Sequence, residues 1–396
     1  MNFLNPLFAV ILTVLAILLV RTTFIFVQDK SSPTHFETID GLRGYLAFFV
    51  FLHHAAVWYS FCRTGLWVTL DSHLYTHLGQ SSVGLFFMIS SFLFYNKLLN
   101  RKFQKINWRS FFIGRFFRLT PLYLSVIISM FLLVAVLSDG ALIDKPKYIL
   151  YCLVRWVLFT IPGAPKINSI EADQIVAYVT WSLIYEWYFY FALPLISLST
   201  GQRPSWALLV SLVGICLAWY GGFQLKFAAS FFGGMVAAQL IRLPSFKLFA
   251  QTSSASALVL VCMASVLFFP GAYGIFPSMI LSVAFCLIAG GANIFGLLIW
   301  KTSRRLGELA YSIYLAHGIL LFSMINFIVG KKNIAMMSSI YYWICIAITV
   351  PFLLVISTIT FRYIETPGIS LGKKLEARWS RVHGMQSAQA EGPQNP

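Results

Sequence analysis

Charge is what this chain lacks. Only 11% of its 396 residues are charged against 59% hydrophobic, at a mean hydropathy of +0.78, which excludes a water-soluble globule around a core of ordinary size. Acidic residues are the scarcest, 13 Asp and Glu against 29 Lys and Arg, for a formal net charge of +16. No CxxC pair is present to hold a metal or a redox centre. Of the six cysteines, Cys216, Cys262, Cys286 and Cys345 fall in apolar runs and read as small apolar residues. Cys62 and Cys152 fall near one face, where a disulfide is conceivable but not expected, because Cys152 sits in an apolar segment. Internal repeats, low-complexity tracts and an appended soluble domain are all missing. The first apolar run has neither a basic n-region nor a small-residue cleavage site, so it reads as an anchor helix and not a removed signal peptide.

Long apolar runs are what the chain has. A hydrocarbon core of about 30 Å takes about 20 apolar residues per helix. Eleven runs of roughly that length lie near residues 5–27, 43–60, 82–98, 117–138, 175–198, 205–221, 223–241, 255–271, 276–299, 308–329 and 338–361. They predict an all-α, polytopic transmembrane helical bundle of about eleven helices. Residues 1–37 form an anchor helix and linker, residues 38–370 the membrane domain, and residues 371–396 a cytoplasmic tail whose polar end, "GMQSAQAEGPQNP", is expected to be disordered. The segment "YILYCLVRWVLFTIPG", residues 148–163, is ambiguous. If it does not span, 21 of the 29 Lys and Arg share one face; if it spans, the split is 14 to 15. The positive-inside rule therefore favours an interfacial or re-entrant segment, with the N-terminus outside and the C-terminus in the cytoplasm. The basic face so formed suits anionic lipid or an anionic cofactor, and nothing points to nucleic acid.

Inside the second run, "GLRGYLAFFVFLHHAAVWY" carries an arginine and two histidines. Eleven helical steps of about 100° bring His54, and not His53, onto the Arg43 face about 16 Å along the axis. A neutral imidazole near mid-membrane can act as a base without a permanent charge. Asp40 is placed to cap the helix opening at Gly41 and to hold Arg43 three residues on. In the basic loop, Arg101, Lys102, Lys105 and Arg109 read as a topology signal, whereas Arg115 and Arg118, spaced i, i+3 at a helix mouth, can clamp phosphates. Glu186 is a lone carboxylate in an aromatic run that must be paired or protonated, and a structural partnership with Arg or His outweighs catalysis; Ser182 lies one turn away. For Tyr311, Tyr314 and His317 packing is at least as good a reading as an active site. Asp71, His73 and His77 have ligand types at i, i+4, but without further ligands no metal is expected.

Five pieces occur in an order that resembles the acyltransferase-3 family of integral membrane O-acyltransferases. They are "IDGLRGYLAFFVFLHH", "GLFFMISSFL", "RFFRLTPLY", "WSLIYEWYFY", and the late pair "LGELAYSIYLAHG" and "FRYIETPG". The resemblance covers residues 38–370 and implies a ten-helix core preceded here by the anchor. It implies transfer of an acyl group, most often acetyl from acetyl-coenzyme A, to a hydroxyl of a cell-envelope polysaccharide. His54, Arg43, Glu186 and Ser182 then become catalytic candidates, and Arg115, Arg118 and Arg43 candidates for binding the acyl-CoA donor; whether His54 is a general base or is itself acylated stays open. Two departures stand out. Ser90 and Ser91 replace the usual Ser-Gly, putting a close backbone approach in doubt, and Gly114 precedes Arg115 where a basic pair is common. Some relatives carry a soluble esterase-like domain; here a periplasmic partner of that kind would be a separate protein. The implied setting is the inner, cytoplasmic membrane. The competing reading is a transporter or flippase of a lipid-linked or anionic substrate, which paired repeats and ionisable residues spread over several spans would favour. Oligomeric state is not readable from the sequence.

Overall fold

The computed structural model describes residues 2–23, 36–100, 106–161, 163–201 and 206–390, with side chains up to Trp379. Lys30, Arg101, Lys102, Lys105 and Arg203, which entered the charge count, lie outside the described residues, as do the side chain of Arg381 and residues 391–396 of the tail. Among the described residues every regular element is helical, and one isolated bridge between Ile167 and Ile170 builds no sheet.

Each of the eleven apolar runs contains a helix. The N-terminal group is α1 (Pro6–Thr23), α2 (Glu37–Thr64), α3 (His73–Asn100) and α4 (Trp108–Leu137). Then come two short pieces, α5 (Pro146–Val157) and α6 (Ala172–Ile175), followed by α7 (Thr180–Ser197), α8 (Ala207–Tyr220), α9 (Ala228–Leu240) and α10 (Pro244–Ala250). The last group is α11 (Ser253–Val266), α12 (Ile275–Gly290), α13 (Lys301–Glu308), α14 (Ala310–Ser323), α15 (Lys331–Met336), α16 (Ser339–Thr360) and α17 (Thr366–Ala390).

Five of the described helical stretches are long and apolar enough to cross a bilayer: α2, α3, α4, α14 continued to Val329, and α16 continued to Trp379. A sixth is added if the pair Leu225–Leu240 and α10, bent by 108°, is one span. The helices α1, α8, α11 and α12 are apolar but shorter. Each run therefore holds a helix, but they are not eleven equal spans. The run read as 276–299 shows why: its helix stops at Gly290 and the chain turns, with the Ala292 N–H donating to the Leu287 carbonyl at 2.9 Å. Hydropathy sees apolar residues in such a turn as readily as in a helix.

The ambiguous segment folds as α5, twelve residues and so about 18 Å long, too short for a hydrocarbon core. It buries Cys152 and Trp156 and exposes Tyr148, Leu150, Tyr151 and Leu153, the profile of a helix lying along the bundle. All six cysteines are free thiols.

The site depends on how α2 is held. Its backbone meets α13 with no room for side chains between them: a Cβ on Gly44 would come within 2.6 Å of the Gly307 nitrogen, and one on Gly41 within 2.7 Å of the Leu298 carbonyl carbon. Arg304 pairs with Glu37 at 2.8 Å, and Tyr45 and Ser303 hydroxyls lie 2.7 Å apart along the same seam. These contacts also correct the expected start of α2. The helix begins at Glu37, anchored by Arg304, so Asp40 is not its cap but sits in the first turn, 3.9 Å from Arg43. At the other end of the chain α16 passes through a π-turn at Phe361–Glu365 into α17, which runs to Ala390.

Candidate active site

Five helices, α2, α3, α4, α7 and α14, bring polar residues to one place. From α2 comes Arg43, from α4 Arg115 and Arg118, from α7 Ser182 and Glu186, and from α3 Ser90 and Lys97; together with Tyr190, Tyr311 and Tyr314 they line a cavity of about 400 Å³. The i, i+4 spacing of Ser182, Glu186 and Tyr190 puts all three on one face of α7, and the i, i+3 spacing of Arg115 and Arg118 does the same on α4.

Glu186 accepts two hydrogen bonds at one of its oxygens. Its Oε1 accepts from the Tyr190 hydroxyl in a short bond and from Ser90 Oγ at 3.3 Å. Its charge also acts on Arg43 and Arg115, which makes it a counter-ion within a cationic cavity. Ser90, the serine that the family pattern retains, thus serves the cavity. The close backbone approach beside Ser91 is taken over by α9, where a Cβ on Gly234 would meet the Met88 backbone. Arg115 lies 4.8 Å from the Phe94 ring centroid. Arg43 feels Arg118 as a repulsive charge and Asp40, Glu365 and Glu186 as attractive ones. Glu365, buried and accepting from Ser312 Oγ at 3.3 Å, was not singled out in the sequence, although it is a lone acid inside the "FRYIETPG" piece.

His54 does not line this cavity. It is tied to a residue whose role the sequence left open between packing and an active site: His317 Nε2 lies 3.1 Å from His54 Nδ1, with the rings 5.1 Å apart. The tautomers follow from the neighbours. His317 Nδ1 faces the Ile313 carbonyl at 3.1 Å and must donate to it, which leaves its Nε2 as an acceptor. His54 Nδ1 faces that acceptor and also the Val50 carbonyl at 3.0 Å, so it carries the proton. The lone pair of His54 is then on Nε2, the arrangement of a base oriented by a third group. His53 points away as helical phase requires, donating from Nδ1 to the Tyr75 carbonyl at 2.8 Å.

Helix α14 joins the two parts. Tyr311, Tyr314 and His317 form a slanted row about 9 Å long. The Tyr311 hydroxyl donates to the Leu119 carbonyl at 2.8 Å, the Tyr314 hydroxyl lies 2.7 Å from Ser182 Oγ, and His317 meets His54. The next residue, Gly318, lets α14 close on Val176, whose Cα lies 2.8 Å from where a Cβ would be. The i, i+3 spacing of the three was the signal available in the sequence. Beyond His54 stand Trp67, its ring 6.4 Å away, and Tyr178, packed on Trp67 at 5.2 Å.

His73 and His77 are structural. His73 donates to the Leu267 carbonyl at 2.8 Å, and His77 donates to the Phe269 carbonyl at 2.9 Å while accepting from Ser81 Oγ at 2.7 Å. Among the described residues no group of three or more His, Cys, Asp or Glu is placed to hold a metal.

A family model described as an acyltransferase domain matches residues 36–358. No curated protein and no solved structure matches the chain. With four-fifths of its length inside that match and an all-helical fold containing several membrane-crossing stretches, the chain belongs to the acyltransferase-3 family and is a multi-pass membrane acyltransferase.

Proposed function

We propose that the protein transfers an acyl group, acetyl foremost, from acetyl-coenzyme A on the cytoplasmic side of the inner membrane to a hydroxyl of an envelope polysaccharide. The observation that carries this reading is a cavity in which Arg43, Arg115, Arg118 and Lys97 face one carboxylate, Glu186, with Arg43 on the same helix as His54 and about 16 Å from it along the axis. Such an excess of cations suits a phosphate-rich donor.

In this reading the donor's phosphates rest on Arg115 and Arg118 with help from Arg43, and its thioester arm extends past Ser182 and Tyr314 towards the histidines. Glu186 keeps the arginines in place. The acceptor hydroxyl loses its proton to His54 Nε2 as its oxygen bonds to the acyl carbon; the carbon–sulfur bond breaks, and the thiolate leaves and is protonated by the imidazolium. His317 holds His54 in the tautomer this step needs. Trp67 and Tyr178, next to His54, offer the flat apolar faces against which sugar rings stack. An N-terminus outside and a C-terminus in the cytoplasm put the arginines and the donor on the same side.

The test uses purified protein and acetyl-coenzyme A labelled in the acetyl group. The wild type turns the label over and His54→Ala does not. Equal turnover by both proteins removes His54 from the chemistry, and failure of the wild type to bind the thioester removes the donor assignment. The transporter reading has no comparable support, because the ionisable residues gather around one cavity and not along a path through both halves of the bundle.

A further inference from the structure

A second cavity, of about 490 Å³, lies beside the first and shares Phe94, Lys97, Arg115 and Arg118 with it. Its far wall is made by α17 through Ile369, Lys373 and Glu376, residues beyond the stretch that the family model matches. Packing seats α17 there. A Cβ on Gly368 would come within 2.7 Å of Pro121 Cγ, and one on Gly372 within 2.9 Å of Phe117 Cβ, so the two helices touch closely. The Arg109 guanidinium lies 3.2 Å from the Trp379 ring centroid and pins the next turns.

We infer that α17 completes a subsite for the phosphate-bearing nucleotide end of the donor, with Lys373 as the cation it contributes; this rests on the donor assignment proposed above. The direction follows from the shared wall. The first cavity leads by Ser182 and Tyr314 towards His317, so a thioester bound for His54 lies there. The phosphates next to it then cross the shared arginines, and the rest of the donor falls in the second cavity. That cavity has the mixed lining such a group takes: Trp108 and Phe111 offer aromatic faces, while Lys97, Arg115, Arg118 and Lys373 outnumber Glu376. Lysine suits this rim, since a flexible point charge can follow a phosphate without a fixed geometry. The phosphate of an anionic lipid headgroup has the same chemistry, and the experiment separates the two.

Affinities for coenzyme A and for pantetheine, which has the arm but neither phosphates nor nucleotide, are measured on the purified full chain for wild type, Lys373→Glu, Lys373→Arg and Arg115→Ala. Capture of each protein on phosphatidylcholine vesicles with and without phosphatidylglycerol is measured alongside. Lys373→Glu is expected to bind coenzyme A about tenfold more weakly, the loss of one charge-assisted hydrogen bond, with pantetheine unchanged and Lys373→Arg near wild type. If Lys373→Glu keeps its coenzyme A affinity while Arg115→Ala loses it, the inference is overturned and the donor assignment stands; a change in capture by anionic vesicles alone would then give the cavity to a headgroup. If neither variant loses affinity, the donor assignment falls as well.

Discussion

Replacing His317 with phenylalanine keeps a flat ring in a fully buried slot and removes both nitrogens. The size of the effect can be worked from two distances. His54 Nδ1 has two acceptors, the Val50 carbonyl at 3.0 Å and His317 Nε2 at 3.1 Å. Removing the second leaves the first, so the productive tautomer survives with a looser ring. One hydrogen bond is worth about 0.5–1.5 kcal/mol net, so kcat should fall about 2- to 10-fold. His54→Ala removes the base itself and should cost about 10²- to 10⁴-fold. His53→Ala should retain most activity, because His53 bonds only the Tyr75 carbonyl. The assay is release of coenzyme A at saturating donor, with the donor KM measured in parallel. That KM should not move, since Arg43 lies about 16 Å from His54 along α2 and Arg115 and Arg118 are on a different helix, α4. A thermal unfolding midpoint for each variant separates chemistry from folding. The reasoning fails if folded His317→Phe is as inactive as His54→Ala, or if His54→Ala stays near wild type.

Arg115→Ala and Arg118→Ala should each weaken binding of coenzyme A by about 1.5–3 kcal/mol, less at high salt, and lysine at either position should restore only part of it; wild-type affinity in the double alanine variant would take both out of the site. With the C-terminus in the cytoplasm, cysteines introduced by Lys247→Cys and Lys301→Cys should escape a membrane-impermeant label added from outside, and labelling of either reverses the topology. Burial raises the Asp173 carboxyl from 3.8 to about 6, against the opposing hydrogen bond from Thr180. A raised folded-state value means that the stability this group contributes is complete below about pH 4 and is lost as pH rises through about 6. Asp173→Asn should therefore flatten the unfolding midpoint over that interval, and an unchanged slope would exclude Asp173 as its source.

The sequence carried the helical class because apolar runs must bury in lipid or protein whatever the tertiary detail, and it carried Arg43, Arg115, Arg118, Ser182 and Glu186 because fixed helical spacing sets faces. What it did not carry was set across the bundle. That His54 meets His317 depends on α2 and α14 being neighbours 263 residues apart in the chain. Glu365 reaches the field of Arg43 from the π-turn that joins α16 to α17, far along the chain from α2. The start of α2 at Glu37 is fixed by Arg304, a contact no local capping rule contains. Likewise the lengths of α8, α11 and α12 are decided by turns whose residues are as apolar as the helices.

A transferase that draws a charged donor into a membrane must not become a leak. The cavity wall towards the histidines contains the Ser182 and Tyr314 hydroxyls, 2.7 Å apart, one donating to the other, while the Val179 carbonyl, 3.1 and 3.3 Å from them, accepts the remaining proton. These groups satisfy one another, so a file of water leading to the imidazoles has to displace bonds already made. Phe86, its ring 5.9 Å from that of Tyr314, adds an apolar shoulder to the same place. The arrangement acts as an insulator: it sets hydroxyls and an aromatic ring, in place of open water, between the cationic chamber and His54.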